Sequence, residues 1–165
     1  MNFAFLQLGS NLNDRSALLQ RAKEEISSAI GKISGESSVY ESEPWGFQSE
    51  NRFLNQVVRI ETELGPIDVL NEILKIEHKL GRIRTGKKSY TSRLIDIDIL
   101  FYNDEIISDG TLTIPHPKIP ERMFTLIPLS ELDRNMIHPG SGKSITDLIK
   151  ECPDVLSVYP YRPKG

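Results

Sequence analysis

The 165 residues, 38% of them hydrophobic and 26% charged, with a formal net charge of −3, predict one domain over residues 1–165 with room for a proper core. That charge gives no global basic footprint for nucleic acid, and no stretch is long and apolar enough to cross a bilayer. A single cysteine, Cys152, excludes an internal disulfide and a cysteine metal cluster, and the N-terminal MNFAFLQLGSN lacks the basic region of a secretory signal, so a cytoplasmic protein is expected.

Asn2 to Gly9 alternates weakly and is rich in Phe and Leu, which predicts a largely buried first strand. Gly9-Ser10-Asn11 reads as a turn, with Asn13 or Ser10 as the cap of the helix that follows. From Asp14 to Ile30 the apolar residues Leu18, Leu19, Ala22, Ile26, Ala29 and Ile30 recur at helical spacing, and Gly31 ends the run. Ile33 to Ser42 reads as a second strand. Glu43 to Asn51 is a long loop holding Trp45 and Phe47, aromatics that either plug the core or meet a ligand.

Phe53 to Leu64 predicts a third strand on which Phe53, Asn55 and Val57 share one face. An aromatic and a carboxamide on one face suit a flat heteroaromatic ring, by stacking and by paired hydrogen bonds. Gly65-Pro66 opens a second helix, whose stripe of Val69, Leu70, Ile73, Ile76 and Leu80 ends at Gly81. Glu77, one turn before that end, suits a surface salt bridge or a ligand.

The chemistry concentrates between Arg82 and Leu100. Arginines and a Gly/Lys/Ser/Tyr/Thr loop lead into an apolar run carrying Asp96 and Asp98. In a strand those two carboxylates share a face, about 7 Å apart, with Ile95, Ile97 and Ile99 on the other. Aspartates are disfavoured in strands and need partners there. Salt bridges to Arg82, Arg84 and Arg93 would provide them. So would a hard cation, with the arginine forks taking the rest of a polyphosphate's charge. Beyond this strand, Asn103-Asp104 reads as a hairpin turn into Glu105 to Ile107, and Leu112 to Ile114 as one more short strand. Pro115-His116-Pro117 fixes the backbone around His116, and Arg122 adds another fork. Phe124 to Leu132 and Ser144 to Lys150 predict short helices, the latter capped by Ser144 with Asp147. Gly140 to Ser144 imitates the end of a phosphate-binding loop, but Ile137 stands where that motif needs its first glycine.

The order of elements suggests an α+β, ferredoxin-like sandwich, a mostly antiparallel sheet with helices packed on it and short C-terminal helices. The chain resembles the 6-hydroxymethyl-7,8-dihydropterin pyrophosphokinase family of folate biosynthesis from Leu8 to about Leu129. The most specific block is Arg93-Leu94-Ile95-Asp96-Ile97-Asp98-Ile99-Leu100. Leu8-Gly9-Ser10-Asn11-Leu12, the Ser42/Pro44/Gly46 loop with Phe53 and Asn55, Gly81-Arg82-Ile83-Arg84, and Pro115-His116-Pro117 with Arg122 and Phe124 also match.

That resemblance implies an enzyme that moves the terminal diphosphate of ATP to the pterin hydroxymethyl group and releases AMP. It implies that Asp96 and Asp98 hold two Mg²⁺ ions, and that Arg82 and Arg93 stabilise the transferred diphosphate. Glu77, Arg84, Ile99, His116 and Arg122 would serve the nucleotide. Phe53 and Phe124 would sandwich the pterin, and Ser42, Asn55 and the backbone at Trp45 would read its edge. The partners implied are these two small molecules, with no nucleic acid, no membrane and no obligate protein partner, so a monomer is expected. The alternatives are an RNA-binding module of the same fold class, and a different two-metal nucleotidyl transferase or phosphatase.

Overall fold

A computed structural model describes residues 1–10, 14–43, 52–81, 95–154 and 157–161. Eight strands and four helices follow one another in the described chain: β1 Asn2–Ser10, α1 Arg15–Ala29, β2 Lys32–Glu36, β3 Tyr40–Ser42, β4 Phe53–Thr62, α2 Pro66–Leu80, β5 Asp96–Tyr102, β6 Ile107–Ser108, β7 Thr113–Ile114, α3 Met123–Asp133, α4 Ile145–Glu151 and β8 Val158–Pro160. The main sheet runs β5-β1-β4-β3-β8, with β2 also on β4, and every pairing is antiparallel. This is the α+β arrangement expected, with the ferredoxin-like order at its centre.

Alternation along the strands builds two apolar layers. Ala4, Leu6, Leu8, Leu54, Val58, Ile60, Ile97 and Ile99 face α1 and α2 and pack with Leu19, Ile26, Ile73 and Ile76. Each such buried side chain stabilises the fold by about 1.5–3 kcal/mol. Phe5, Val57, Leu100 and Phe101 face the other way, onto Leu126 and Leu129 of α3 and Ile145 and Leu148 of α4. A register shift between Phe5 and Leu6 leaves Leu100 as an extra residue on β5. Leu100 and Phe101 thereby both join the second layer.

Local chemistry sets the boundaries. Asp14, rather than the expected Ser10 or Asn13, caps α1 by accepting from the Ala17 N–H at 3.1 Å, while Ser10 lies buried in β1. The expected strand over Ile33–Ser42 is two strands, because Ser37 keeps only half of its ladder pairing: its N–H donates to the Val57 carbonyl at 2.9 Å, but its own carbonyl turns away. Its hydroxyl accepts from Val57 N at 3.0 Å, and its carbonyl accepts from Gln56 Nε2 at 2.7 Å. Glu131 of α3 holds the next residue, accepting from Ser38 N, Ser38 Oγ and Tyr40 Oη at 2.8, 2.7 and 2.6 Å.

The expected hairpin of β5 with Glu105–Ile107 does not form. Asn103, at φ 48°, closes β5 back onto Phe3 instead. Ile107–Ser108 pairs with Thr113–Ile114 around a turn in which Asp109 accepts from Thr111 and Leu112, next to Gly110 at φ 89°. Strand β8 went unanticipated. It lies on β3, and the Arg52 guanidinium donates to the Tyr159 hydroxyl and stacks over that ring. The caps at Gly65-Pro66, Gly81 and Ser144 stand as expected. Gly140 and Gly142 lie in a turn at positive φ, which agrees with setting the phosphate-loop imitation aside.

At the corner between α1 and β2, a Cβ on Gly31 would stand 2.1 Å from the Glu61 carbonyl oxygen. Gly31→Ala is therefore expected to cost about 1–3 kcal/mol through forced separation of the backbones, read as a lower urea midpoint. An unchanged midpoint would refute the close approach. The hydrogen bonds from Tyr40 and Ser38 hold the Glu131 carboxyl below its ordinary value of 4.5, although its partial burial pushes upward. Since the folded value is the lower one, this stabilisation is complete above pH 4.5 and is lost as pH falls through the depressed value. Glu131→Ala should cost about 1 kcal/mol at pH 7, the exposure of the site keeping the figure small. The gap from wild type should close in acid, which urea titrations at pH 7 and pH 3 would measure.

Candidate active site

The second layer covers only part of its sheet face. Helix α3 packs over Phe5 and Val57, and the face beyond is left as a cleft of about 620 Å³, counting the part open to solvent. Gln7, Gly9, Ser42, Glu43, Phe53, Asn55, Asp96, Asp98, Arg122 and Phe124 line it. Register explains the assembly. Gly9 pairs with Asp96 on one side and Asn55 on the other, and Gln7 likewise with Asp98 and Val57. Asp96 and Asp98 therefore share a face with Asn55 across a floor where Gly9 has no side chain. A Cβ on Gly9 would stand 3.5 Å from Asn55 Oδ1, so glycine keeps that oxygen open to the cleft.

Ile97 and Ile99 are buried behind the aspartates, as the alternation predicted. Ile99 therefore has its side chain in the first apolar layer, away from the carboxylates. Asn55 is buried in a central strand and donates from Nδ2 to Ser42 Oγ at 2.7 Å, so these two form one polar unit at the edge of the cleft. Phe53 and Phe124 reach the cleft from β4 and α3.

The Arg122 guanidinium stacks over Phe124, 5.4 Å from the ring centroid. Burial pushes Arg122 below its usual value, against the upward pull of Asp98, Glu121 and Asp96. It remains a cation facing two carboxylates. His116 follows the cis Ile114–Pro115 peptide, and its N–H donates to the Leu100 carbonyl at 3.0 Å. Burial lowers its imidazole from 6.5, helped by Arg122 and Lys118 and opposed by Asp98. Its Nδ1 accepts from Lys118 N at 3.1 Å, so the neutral ring carries its proton on Nε2.

Glu77 is not a surface residue. It is 4% exposed, and its Oε2 accepts from Ile97 N at 2.9 Å on the outer edge of β5. The carboxylate thus closes the sheet edge directly behind Asp96 and Asp98. Trp45, Arg82, Arg84 and Arg93 lie outside the described residues. Thr111 is taken up in the β6–β7 turn. The sequence reading missed Gln7, although one long polar side chain among Phe5, Leu6 and Leu8 is itself a signal that a buried partner exists.

Among the described residues no cluster of three or more His, Cys, Asp or Glu side chains could hold a metal. The donor set is two carboxylates in a cleft with a guanidinium. That suits magnesium, which takes one or two carboxylates and completes its shell with water and phosphate oxygens.

Residues 5–134 match the family model described as 7,8-dihydro-6-hydroxymethylpterin-pyrophosphokinase. The chain is 41% identical over 151 residues to the 2-amino-4-hydroxy-6-hydroxymethyldihydropteridine pyrophosphokinase of Aquifex aeolicus, covering 92% of each. It is 39% identical over 152 residues to the enzyme of that name from Haemophilus influenzae, covering 92% of this chain and 93% of that one. The chain belongs to the 7,8-dihydro-6-hydroxymethylpterin-pyrophosphokinase family.

A solved structure of Plasmodium falciparum HPPK-DHPS with pteroate superimposes with a TM-score of 0.73 at 17% identity, over 91% of this chain and 44% of that one. The chain thus spans less than half of that two-part protein, and the likeness is one of fold. Membership of an enzyme family sets the RNA-binding alternative aside. Among the described residues no helix is long and apolar enough to cross a membrane.

The Glu77 contact has a direct test. Glu77→Leu leaves the Ile97 N–H without its acceptor, at a cost of about 1–3 kcal/mol. Amide exchange at Ile97 should accelerate well beyond that at Leu6 in the protected centre of β1. Equal acceleration at both would show general loosening rather than loss of this bond.

Proposed function

We propose that the protein transfers the terminal diphosphate of ATP to the hydroxymethyl group of 6-hydroxymethyl-7,8-dihydropterin, releasing AMP, in folate synthesis. The observation that carries this reading is a single cleft lined by two carboxylates, a guanidinium, two aromatic rings and a buried carboxamide. Polyphosphate and a flat polar ring need those groups, and they need them side by side.

The hydroxymethyl oxygen attacks the β-phosphorus, a new P–O bond forms, and the bond from the β-phosphorus to the bridging oxygen breaks with AMP as leaving group. The hydroxyl proton is lost to solvent late in the step. Transfer of this kind asks for positioning and charge stabilisation more than for a covalent nucleophile. Asp96 and Asp98 would hold magnesium, two ions in this reading, which when bound offsets the negative charge of the phosphate oxygens.

Arg122 meets the nucleotide phosphates, already partly desolvated and so a stronger partner for an anion. His116, with its proton on Nε2, donates to the same ligand, and Arg82 and Arg93 stabilise the transferred diphosphate with Arg84 closing over it. Phe53 and Phe124 take the two faces of the pterin. Asn55 presents Oδ1 to the ring's donors while its Nδ2 holds Ser42, and the backbone at Trp45 completes the edge. Glu77 acts behind this surface by fixing β5. Ile99 contributes through its main chain, since its side chain faces the core. Action as a monomer in the cytoplasm belongs to the same reading, supported by the single cysteine and the acidic balance.

Incubation with ATP, Mg²⁺ and the pterin should yield AMP and pterin diphosphate in equal amounts by mass spectrometry. ADP or inorganic phosphate in their place would reject diphosphate transfer. Asp98→Ala should lower turnover on the order of 10³-fold with an unchanged circular dichroism spectrum. Substantial residual rate at saturating Mg²⁺ would sink the metal assignment.

A further inference from the structure

Helix α3 carries a proline in its interior, Pro128. Proline has no N–H, so the carbonyl four residues earlier, that of Phe124, cannot receive its helical hydrogen bond. The ring also pushes that carbonyl away from the helix axis. The missing donor comes from the sheet: Gln7 Nε2 donates to the Phe124 carbonyl at 3.0 Å. The other end of the same carboxamide is engaged too, because the Thr125 hydroxyl donates to Gln7 Oε1 at 2.6 Å. Gln7 is 6% exposed and Thr125 1%. The Thr125 bond is buried and the Phe124 bond partly so, and an unmade bond in such a place is costly.

Gln7 lies directly opposite Asp98 in the β1–β5 ladder. Opposed residues in an antiparallel pair have Cβ atoms about 4.5–5.5 Å apart. One side chain thus spans from β1, the strand beside the carboxylates, to the first turn of the helix that carries Phe124. We propose that Gln7 is a positioning residue for the pterin pocket, clasping the Pro128-exposed carbonyl of Phe124 and the Thr125 hydroxyl so that the Phe124 ring stands at a fixed height over the cleft. This rests on the reading above in which Phe124 faces the pterin.

The backbone of the neighbouring Arg122 has anchors of its own, although its guanidinium rests on the Phe124 ring. Its N–H donates to the Ile119 carbonyl at 3.3 Å, and Met123 N donates to Asp154 Oδ2 at 3.0 Å. Loss of the Gln7 clasp therefore loosens the aromatic wall more than the backbone that carries the nucleotide side.

The test measures equilibrium binding of 6-hydroxymethylpterin by its own fluorescence, and of Mg-ATP by competition with a fluorescent ATP analogue. Gln7→Leu keeps the volume and removes both hydrogen bonds. It should weaken pterin binding about tenfold and leave ATP affinity within about twofold. Thr125→Val removes one end of the clasp without adding bulk, and should weaken pterin binding about threefold. It also keeps the test alive should Gln7→Leu fold poorly. Pro128→Ala restores a helical N–H for the Phe124 carbonyl, so the Gln7→Leu/Pro128→Ala double variant should recover most of the lost pterin affinity.

Equal losses for pterin and ATP, or no loss in either single variant, would overturn the proposal. So would a double variant no better than Gln7→Leu alone. Phe124→Ala separates the two layers of the argument. If it leaves pterin binding at the wild-type level, the ring-wall reading fails and the clasp with it. If it weakens binding while Gln7→Leu does not, only the clasp fails.

Discussion

The cleft depends on the register of β1 between β4 and β5. Gly9 must stand between Asp96 and Asn55, and Gln7 between Asp98 and Val57, for carboxylates, floor and carboxamide to meet. A slip of one residue would send every side chain of the slipped strand to the other face. The aspartates would then enter the layer of Leu19, Ile26 and Ile73, and the isoleucines would face water. The apolar layer under α1 and α2 therefore enforces the site: burying Ile97 and Ile99 is what holds Asp96 and Asp98 outward. Glu77 adds a polar restraint by taking the Ile97 N–H at the sheet edge, where an unpaired strand would otherwise be free to shift.

The second layer sets where the face is open. Helix α3 stops short of covering Gly9 and Asn55, and its first turn forms a wall instead of a lid. Three separate hydrogen bonds hold that turn: Arg122 N–H to Ile119, Met123 N–H to Asp154, and Gln7 to the Phe124 carbonyl. At its far end Glu131 ties the same helix to Ser38, between β2 and β3, and to Tyr40 at the start of β3. Pairing with Glu131 and burial together push the Tyr40 phenol up to about 12, so it stays a neutral donor at any physiological pH. The helix is thus referenced to both β1 and the outer strands.

Much of this was legible because periodicity and caps are local. The stripe of α2 between Gly65-Pro66 and Gly81, and the alternation of Asp96 to Ile99, follow from spacing alone. What escaped was decided by partners far along the chain. Ser37 keeps only half of its ladder pairing because Val57 and Gln56, twenty and nineteen residues on, bond its hydroxyl and carbonyl. Ile107 pairs with Ile114 because Asp109 gathers three donors into a tighter turn than Asn103-Asp104 offers β5. Strand β8 adds to β3 through a stretch too short to show a period. At the site, the aspartates, Phe53, Asn55 and Arg122 were legible from residue type and Phe124 through the family resemblance, and all of them line one cleft. Glu77 stayed open between a surface salt bridge and a ligand role because sequence spacing alone did not show that its helix face lies against the edge of β5.

The placement of Gln7 follows from a conflict between two demands on α3. The helix buries Pro128, yet proline costs it a hydrogen bond in the first turn. In an apolar layer the orphaned carbonyl of Phe124 would be expensive. A donor reaching from the sheet resolves this, and β1 is the strand that can supply it. On that face β1 offers three side-chain positions in succession: Phe5 in the core, Gly9 on the floor, and position 7 between them. A small residue at position 7 would leave the carbonyl to water from the cleft, and an apolar one would leave it to nothing. Glutamine is long enough to reach, has a donor for the carbonyl, and has an acceptor for the buried Thr125 hydroxyl. The repair of a helix defect thereby ties the aromatic wall to β1, the strand beside the carboxylates, and the same bond serves stability and the shape of the pocket.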